Sequence, residues 1–321
     1  MKKPLLGLAF AMAASLSAAP ALAAEKVNIG VPSWTGAQAI AHLLAAVVEE
    51  RIGGEAGLVP GNNATIFQAM DQGKGDIDVH PDVWLPNQES FTKKYVDGAG
   101  TVTLSSNPYE GNQGYCVSEK FGKANKITDI ADLGRPDVAM KMDSDGNGKG
   151  EIWIGAPGWA SANVNEVKMR DYNLLEFIEP IRAEESVKTA RVKDSIAKNE
   201  GYAFYCYKPH AIWYMFDVYM LTEPKFDPAK YKMKQPSDSP NWYDESYVAT
   251  KDALKSVQIA WSKSLADRSP AIVEFFERFS LTADDVSQFA YEISGQGRDA
   301  GEVAREWIEK NPERVDAWLG L

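Results

Sequence analysis

At 321 residues, with 34 Lys and Arg against 45 Asp and Glu and a formal charge of −11, the chain is long for one domain and short for three. Its 45% apolar and 11% aromatic content is enough for buried cores and excludes a disordered chain. The acidic balance argues against nucleic acid and anionic membranes as partners, since both require clustered basic residues.

The first 23 residues read as an export signal. Lys2 and Lys3 are followed by the apolar run Leu5 to Leu16 and by Ala21-Leu22-Ala23, a small-residue cleavage triplet. The run is too short to span a bilayer. Removing 23 of 321 residues leaves 298, and losing Lys2 and Lys3 deepens the charge from −11 to −13. These features predict a soluble protein of a bacterial periplasm. In that oxidising compartment Cys116 and Cys206, both in strand-like runs, form either the one possible disulfide or two buried thiols.

From Lys26 onward strands and helices alternate. Strands are predicted at Lys26 to Val31, Gly57 to Pro60, Ile77 to His80, Thr101 to Leu104, Gly114 to Ser118 and Tyr202 to Tyr207. Helices are predicted at Gly36 to Arg51, Ala64 to Gln72, Val164 to Tyr172 and Glu184 to Glu200, with a short helix at Lys126 to Leu133 capped by Thr128. Pro224, Pro228, Pro236 and Pro240 mark an irregular stretch, and the last 70 residues read as helical, closing with Gly301 to Lys310 and Pro312 to Leu319. The alternation predicts an α/β architecture with a mainly parallel sheet.

No nucleophile elbow, zinc-protease pair or phosphate loop occurs, and His42, His80 and His210 read as partly buried structural histidines rather than general bases. The aromatic residues are more informative. Trp34 lies at a strand-to-helix turn, Trp84 just past a strand end, Trp159 in the Pro/Gly turn before a helix, and Tyr205 and Tyr207 at the end of a strand. Ligands of open α/β sheets bind at the carboxyl ends of strands, where these rings fall. Converging aromatic faces suit a quaternary ammonium, each desolvated ring contributing roughly 0.5–2 kcal/mol. Trp153, Trp213, Trp242, Trp261, Trp307 and Trp318 are assigned to packing.

A second constellation is Asp143-Ser-Asp-Gly-Asn-Gly-Lys-Gly-Glu151. Asp143, Asp145, Asn147, the Lys149 carbonyl and Glu151 follow the first part of a calcium-binding loop, with Gly148 at the turn. Ile154 replaces the usual closing glutamate, so the expectation is a structural Ca²⁺ completed by a remote ligand, against an Asp/Gly-rich turn without metal. No catalytic cofactor is expected.

At these residues the sequence resembles the periplasmic substrate-binding proteins of glycine betaine and related quaternary-amine ABC importers. The resemblance is carried by Asp76-Ile-Asp-Val-His-Pro-Asp-Val-Trp84-Leu-Pro, by Asp143-Ser-Asp-Gly-Asn-Gly-Lys with Pro157-Gly-Trp159, by Phe204-Tyr-Cys-Tyr-Lys-Pro209, and by the closing segment Trp307 to Trp318. It implies a two-lobed type II periplasmic binding-protein fold with a hinge and an inter-lobe cleft, lobe 1 comprising residues 24–110 plus 214–321 and lobe 2 residues 111–213. It also implies a cage containing Trp84 and Trp159, with Tyr207 where some relatives carry a further tryptophan, and Trp34 compensating. The backbone of Ala160 and Ser161 matches the family's carboxylate-binding turn, and Gln88 stands where a relative uses histidine. The expected function is capture of glycine betaine or a related osmolyte by a monomer that delivers it to an ABC permease. Trimethylamine N-oxide, choline, proline betaine and dimethylsulfoniopropionate are the alternatives, and an exported hydrolase of choline-type esters is the rival of another class.

Overall fold

The computed structural model describes residues 25–321; the export signal expected at residues 1–23 lies outside the described residues. Twelve strands are formed among the described residues: β1 (Lys26–Val31), β2 (Glu55–Pro60), β3 (Val79–Leu85), β4 (Val102–Leu104), β5 (Tyr109–Ser118), β6 (Gly150–Gly155), β7 (Ile178–Arg182), β8 (Ala203–Lys208), β9 (Val218–Met220), β10 (Tyr231–Lys232), β11 (Tyr247–Val248) and β12 (Lys255–Ser262). The main sheet runs β2-β1-β3-β12-β5-β8-β6-β7, with β4 added on β12 and β9 on β5. β5 joins its two halves. Tyr109 to Gly111 pair with β12, whereas Asn112 to Val117 pair with β8.

The sheet is mixed rather than mainly parallel. β1, β2 and β3 are parallel, as are β6, β7 and β8, but β12 runs antiparallel to β3, β4 and β5, and β5 antiparallel to β8 and β9. The reason is β12, a strand within the C-terminal stretch that reads as helical. Its burial is nearly continuous, including Lys255 and Gln258, so the alternation of a half-exposed strand is missing. β3 also runs further than His80. Pro81 cannot donate to a ladder, and it falls where the β3–β12 register shifts between Gln258 and Ala260, so the strand resumes through Asp82 to Leu85. The short helix at Ile130–Gly134 is capped by Asp129, not Thr128; Thr128 instead donates its N–H to Asp132.

Eight longer helices cover the sheet: α1 (Thr35–Val47), α2 (Asn63–Gln72), α3 (Ala160–Asp171), α4 (Glu185–Lys198), α5 (Pro270–Arg278), α6 (Ala283–Ala290), α7 (Ala300–Lys310) and α8 (Pro312–Leu319). α1 is Ala- and Leu-rich and buried nearly all round, packed against α6 and α7. Ile66, Phe67 and Met70 of α2 form a second core with Val83, Tyr95 and Ala260. Val164 and Val167 of α3 pack with Val248, Tyr231 and Tyr243, and Arg170 donates to the carbonyls of Tyr243 and Ser246. The irregular stretch after Pro224 is therefore fastened to α3.

A buried ion cluster lies where the chain passes between the halves. Lys168 Nζ reaches Glu223 (2.9 Å) and Asp252 (2.7 Å), and Lys255 Nζ reaches Asp252 (2.9 Å) and Asn87 (2.7 Å). Two ammonium groups face two carboxylates, so no charge is left uncompensated.

Cys116 of β5 and Cys206 of β8 are joined by a disulfide, with Cα atoms 5.8 Å apart and 90 residues between them in sequence. Closing so long a loop restricts the unfolded chain, which corresponds to roughly 2–5 kcal/mol. Replacing both cysteines by serine is expected to lower the unfolding free energy by about that amount in urea titrations, while reductant leaves the double variant unaffected.

Candidate functional site

Three turns and one strand end bring aromatic residues to one place. β1 ends at Val31, and Pro32-Ser33 turn the chain so that Trp34 stands immediately before α1. Trp84 projects from β3, Trp159 precedes α3 after the turn at Gly158 (φ 81°), and Tyr205 and Tyr207 share one face of β8. Neighbouring rings stand nearly perpendicular. Trp34 and Trp159 are 5.7 Å apart at 80°, Trp84 and Tyr207 5.5 Å at 83°, and Trp159 and Tyr207 6.1 Å at 76°. They are walls of a box. Gly111 makes room for one of them, since a Cβ there would come within 2.7 Å of Trp84 Cζ3.

The cavity between these rings holds about 330 Å³ of space, suited to a compact molecule. Ala160, Ser161 and Gln88 complete it with Asn63, Asn87 and Gln113, so its polar lining is amide, hydroxyl and backbone, without Lys, Arg, Asp or Glu. Gln88 is buried, and its Oε1 makes no hydrogen bond.

What holds the walls lies behind them. Asp82 is 1% exposed and accepts from three donors: Trp34 Nε1, Trp84 Nε1 (2.9 Å) and the Tyr109 hydroxyl. Burial pushes its carboxyl upward and the three donors pull it back. Trp159 Nε1 donates to Ser33 Oγ at 2.9 Å, across the cavity mouth. All three indole N–H groups are thus used by the protein, which leaves the cavity ring surfaces free of donors.

A second carboxylate, Glu185 in the first turn of α4, backs the opposite wall. It accepts from Tyr207 Oη, from His210 Nε2 (2.9 Å), and from both Thr35 N and Thr35 Oγ1 (3.0 Å each). The N–H of Ile212 donates to His210 Nδ1 at 2.8 Å, so the neutral ring directs its Nε2–H at Glu185. Burial opposes ionisation of Glu185, but His210, Lys188 and Tyr207 outweigh it and hold the carboxyl well below its ordinary range. Burial lowers Lys188 to about 8, Glu185 opposing.

Residues 25–310 match the family described as "Substrate binding domain of ABC-type glycine betaine transport system". The chain belongs to this family. The family is one of transport substrate-binding proteins, not an enzyme class. The chain is 22% identical over 215 residues to the glycine betaine/proline betaine-binding periplasmic protein of Salmonella typhimurium, a match covering 64% of this chain and 63% of that protein. It is 26% identical over 110 residues to the glycine betaine/carnitine transport binding protein of Listeria monocytogenes, covering 34% and 29%. The fold is similar to lactococcal OpuAC in its closed-liganded conformation with glycine betaine (TM-score 0.71, 19% identity, 92% of this chain and 99% of that one). It is similar also to an ABC-transporter choline binding protein in complex with choline (TM-score 0.71, 16% identity, 92% of each chain). The architecture is therefore the two-lobed α/β fold of these binding proteins. Among the described residues no helix is long and apolar enough to cross a membrane.

Within this family fold, all seven residues singled out as ligand contacts from sequence, Trp34, Trp84, Gln88, Trp159, Ala160, Ser161 and Tyr207, line the one cavity. Trp84 stands within β3 rather than past its end. Trp153, assigned to packing, is buried and meets Trp159 edge-on at 5.7 Å. Of the loop residues considered for calcium, Asp143, Asp145 and Glu151 bring carboxylate oxygens within 4.8 Å of one another. Asn147 turns its amide nitrogen to Asp145 and Glu179, and Lys149 extends its amine to the Leu175 carbonyl. Asp143 accepts from the N–H groups of Gly146, Asn147 and Gly148, and Glu151 from Ser144. Asp82, Glu185 and Asn63 were not anticipated from the sequence. The available signal for Asp82 was its i, i+2 spacing from Trp84 in a strand, which puts both side chains on one face.

A carboxyl held below its ordinary pKa contributes stability above the unfolded value, 4.5 for Glu185, and loses it as the pH falls toward the folded value. The urea midpoint of the wild type is accordingly expected to fall more steeply below about pH 4.5 than that of Glu185→Gln, a difference measurable by circular dichroism across pH 3–6.

Proposed function

We propose that this protein is the periplasmic solute-binding component of an ABC importer and that it captures a small methylated amine, glycine betaine or a related osmolyte, in the box of Trp34, Trp84, Trp159 and Tyr207. One observation carries the reading: every box indole has its N–H engaged behind the wall, so the cavity offers π surface without donors. An ammonium bearing only methyl groups has no N–H of its own to satisfy, and it is attracted by each ring face by roughly 0.5–2 kcal/mol. The names of the relatives, which bind glycine betaine, proline betaine, carnitine or choline, support the same class of ligand. Trimethylamine N-oxide and dimethylsulfoniopropionate share the methylated cationic head and belong to the same reading.

The remaining parts of the proposal follow from it. The export signal is cleaved after Ala23, and the mature chain acts as a soluble monomer that docks on the permease. Lobe 1 takes residues 24–110 and the C-terminal segment, and lobe 2 starts at residue 111. The return to lobe 1 is drawn after Asp252 rather than at residue 214, because β9 pairs with β5 and the segment around β10 and β11 is packed on α3. The protein is read as a receptor and not as a hydrolase of choline-type esters, since His80 and His210 are buried with both ring nitrogens in hydrogen bonds. Calcium is assigned to Asp143, Asp145 and Glu151 as a structural ion, so a chelator should lower the melting temperature and leave ligand affinity unchanged.

A thermal-shift and tryptophan-fluorescence panel tests the central claim. Glycine betaine, choline, trimethylamine N-oxide, proline betaine and dimethylsulfoniopropionate are the ligands to compare, and at least one should raise the melting temperature and change fluorescence saturably. Trp84→Ala should weaken that ligand about 2- to 30-fold. Asp82→Ala should weaken it more than loss of either ring alone, because it releases two walls. A panel without any response overturns the reading.

A further inference from the structure

We infer that Asn63 is a specificity-determining residue whose side-chain amide donates to an oxygen of the ligand, and that His80 is the positioning residue that fixes the amide in that orientation. The inference rests on the aromatic-box reading and adds to it a requirement for an acceptor oxygen, such as a carboxylate or an N-oxide.

Asn63 is the first residue of α2, is 4% exposed and lines the cavity beside Trp34 and Trp84. Its orientation follows from a chain of hydrogen bonds that starts on the backbone. The N–H of Asp82 points at His80 Nδ1 at 3.2 Å, and a backbone N–H can only donate, so Nδ1 is the unprotonated nitrogen. The proton of the neutral ring is then on Nε2, which lies 2.9 Å from Asn63 Oδ1. His80 is fully buried, and burial lowers its pKa to about 3, so the ring stays neutral over the working range. Its faces are flanked by Trp34 (centroids 6.2 Å apart) and Phe67 (5.4 Å), which hold the ring plane. An asparagine whose oxygen is committed in this way has only Nδ2 left to offer.

That nitrogen makes no hydrogen bond among the described residues, and it is not a sealed orphan either. Its two hydrogens therefore have the cavity as their outlet. The complementary ligand atom is an acceptor, because Asn63 has spent its own acceptor on His80. The indoles supply no donors to the cavity, so an oxygen entering it has few other places to be satisfied. The same two-residue stretch of β3 thus serves both ends of the ligand: the Asp82 side chain holds the rings that receive the cation, and the Asp82 backbone sets the histidine that aims the amide.

Isothermal titration of the full mature protein with ligands that share a cation and differ in oxygen tests this. Tetramethylammonium has no oxygen; glycine betaine and trimethylamine N-oxide each have one or more. Asn63→Asp replaces the donor by an acceptor at constant shape and should weaken the better-bound oxygen ligand at least 10-fold while tetramethylammonium changes less than 2-fold or tightens. Asn63→Ala, a second variant that keeps the helix start, should show the same split with a smaller loss. His80→Phe should weaken the oxygen ligand several-fold and spare tetramethylammonium, since the amide is then free to rotate. Equal losses for both ligand types, or no loss for either in Asn63→Asp and Asn63→Ala, overturn the inference and leave the aromatic box intact. Failure of the wild type to bind any of the three ligands overturns the box itself, and the role of Asn63 with it.

Discussion

The structure around the cavity depends on one buried carboxylate. Asp82 accepts from two indoles and a phenol that come from three separate segments: the turn after β1, β3 itself and the start of β5. A carboxylate at 1% exposure is costly unless its oxygens are matched, and three donors meet that need. The constraint works in both directions. The rings satisfy the carboxylate, and the carboxylate removes the rotational freedom of Trp34 and Trp84. Their indole N–H groups are withdrawn from the cavity at the same time, which turns two amphipathic side chains into plain π surfaces. Gly111 belongs to the same arrangement, because any side chain there would meet the Trp84 ring.

The far wall uses the same device with different chemistry. Glu185 holds Tyr207 by its hydroxyl and is itself held by His210 and Thr35. Each half of the box is thus a set of rings with a carboxylate behind it, and neither carboxylate lines the cavity. The negative charges lie on the outer side of the rings, where they favour a cation without forming an ion pair that a simple amine or a metal ion would also satisfy. A neutral amide and hydroxyl lining then meets whatever polar group the cation carries.

Much of this was legible in the sequence, and the losses have physical reasons. Trp34 and Trp159 stand out because Pro and Gly turns place them at strand-to-helix junctions, where a core tryptophan is uncommon. The strands β1, β4 and β8 and the helices α1, α2, α7 and α8 followed from periodicity and breakers. β12 was lost because both its faces are buried and because Lys255, a charge that normally marks an exposed face, is neutralised by Asp252 deep inside. With β12 unseen, the sheet looked parallel. Asp82 beside Pro81 reads as a turn residue, and only the bulge opposite Pro81 shows that the strand continues. Glu185 reads as an ordinary acid in the first turn of a helix, where the dipole favours it. Its real partner is the first turn of another helix, 150 residues earlier in the chain, and no local pattern encodes that.

That contact also bears on how the cavity closes. Thr35 is the first residue of α1, and its N–H is one of the orphan donors every helix start leaves exposed. No side chain of α1's own neighbourhood caps it; Glu185, from the opposite half of the sheet, does. When the halves part, water takes over both the Thr35 N–H and the Glu185 oxygens, and when they meet these groups exchange water for one another. Such an exchange has a small net free energy, because each hydrogen bond lost to solvent is replaced within the protein. The Trp159 to Ser33 bond crosses in the same way. The protein's own cross-cleft bonds therefore set the geometry of closure without strongly driving it, and the driving term is left to whatever fills the space between the rings. A receptor built so discriminates by occupancy: only a ligand that covers the ring faces and satisfies the polar lining brings enough differential free energy to hold the two halves together.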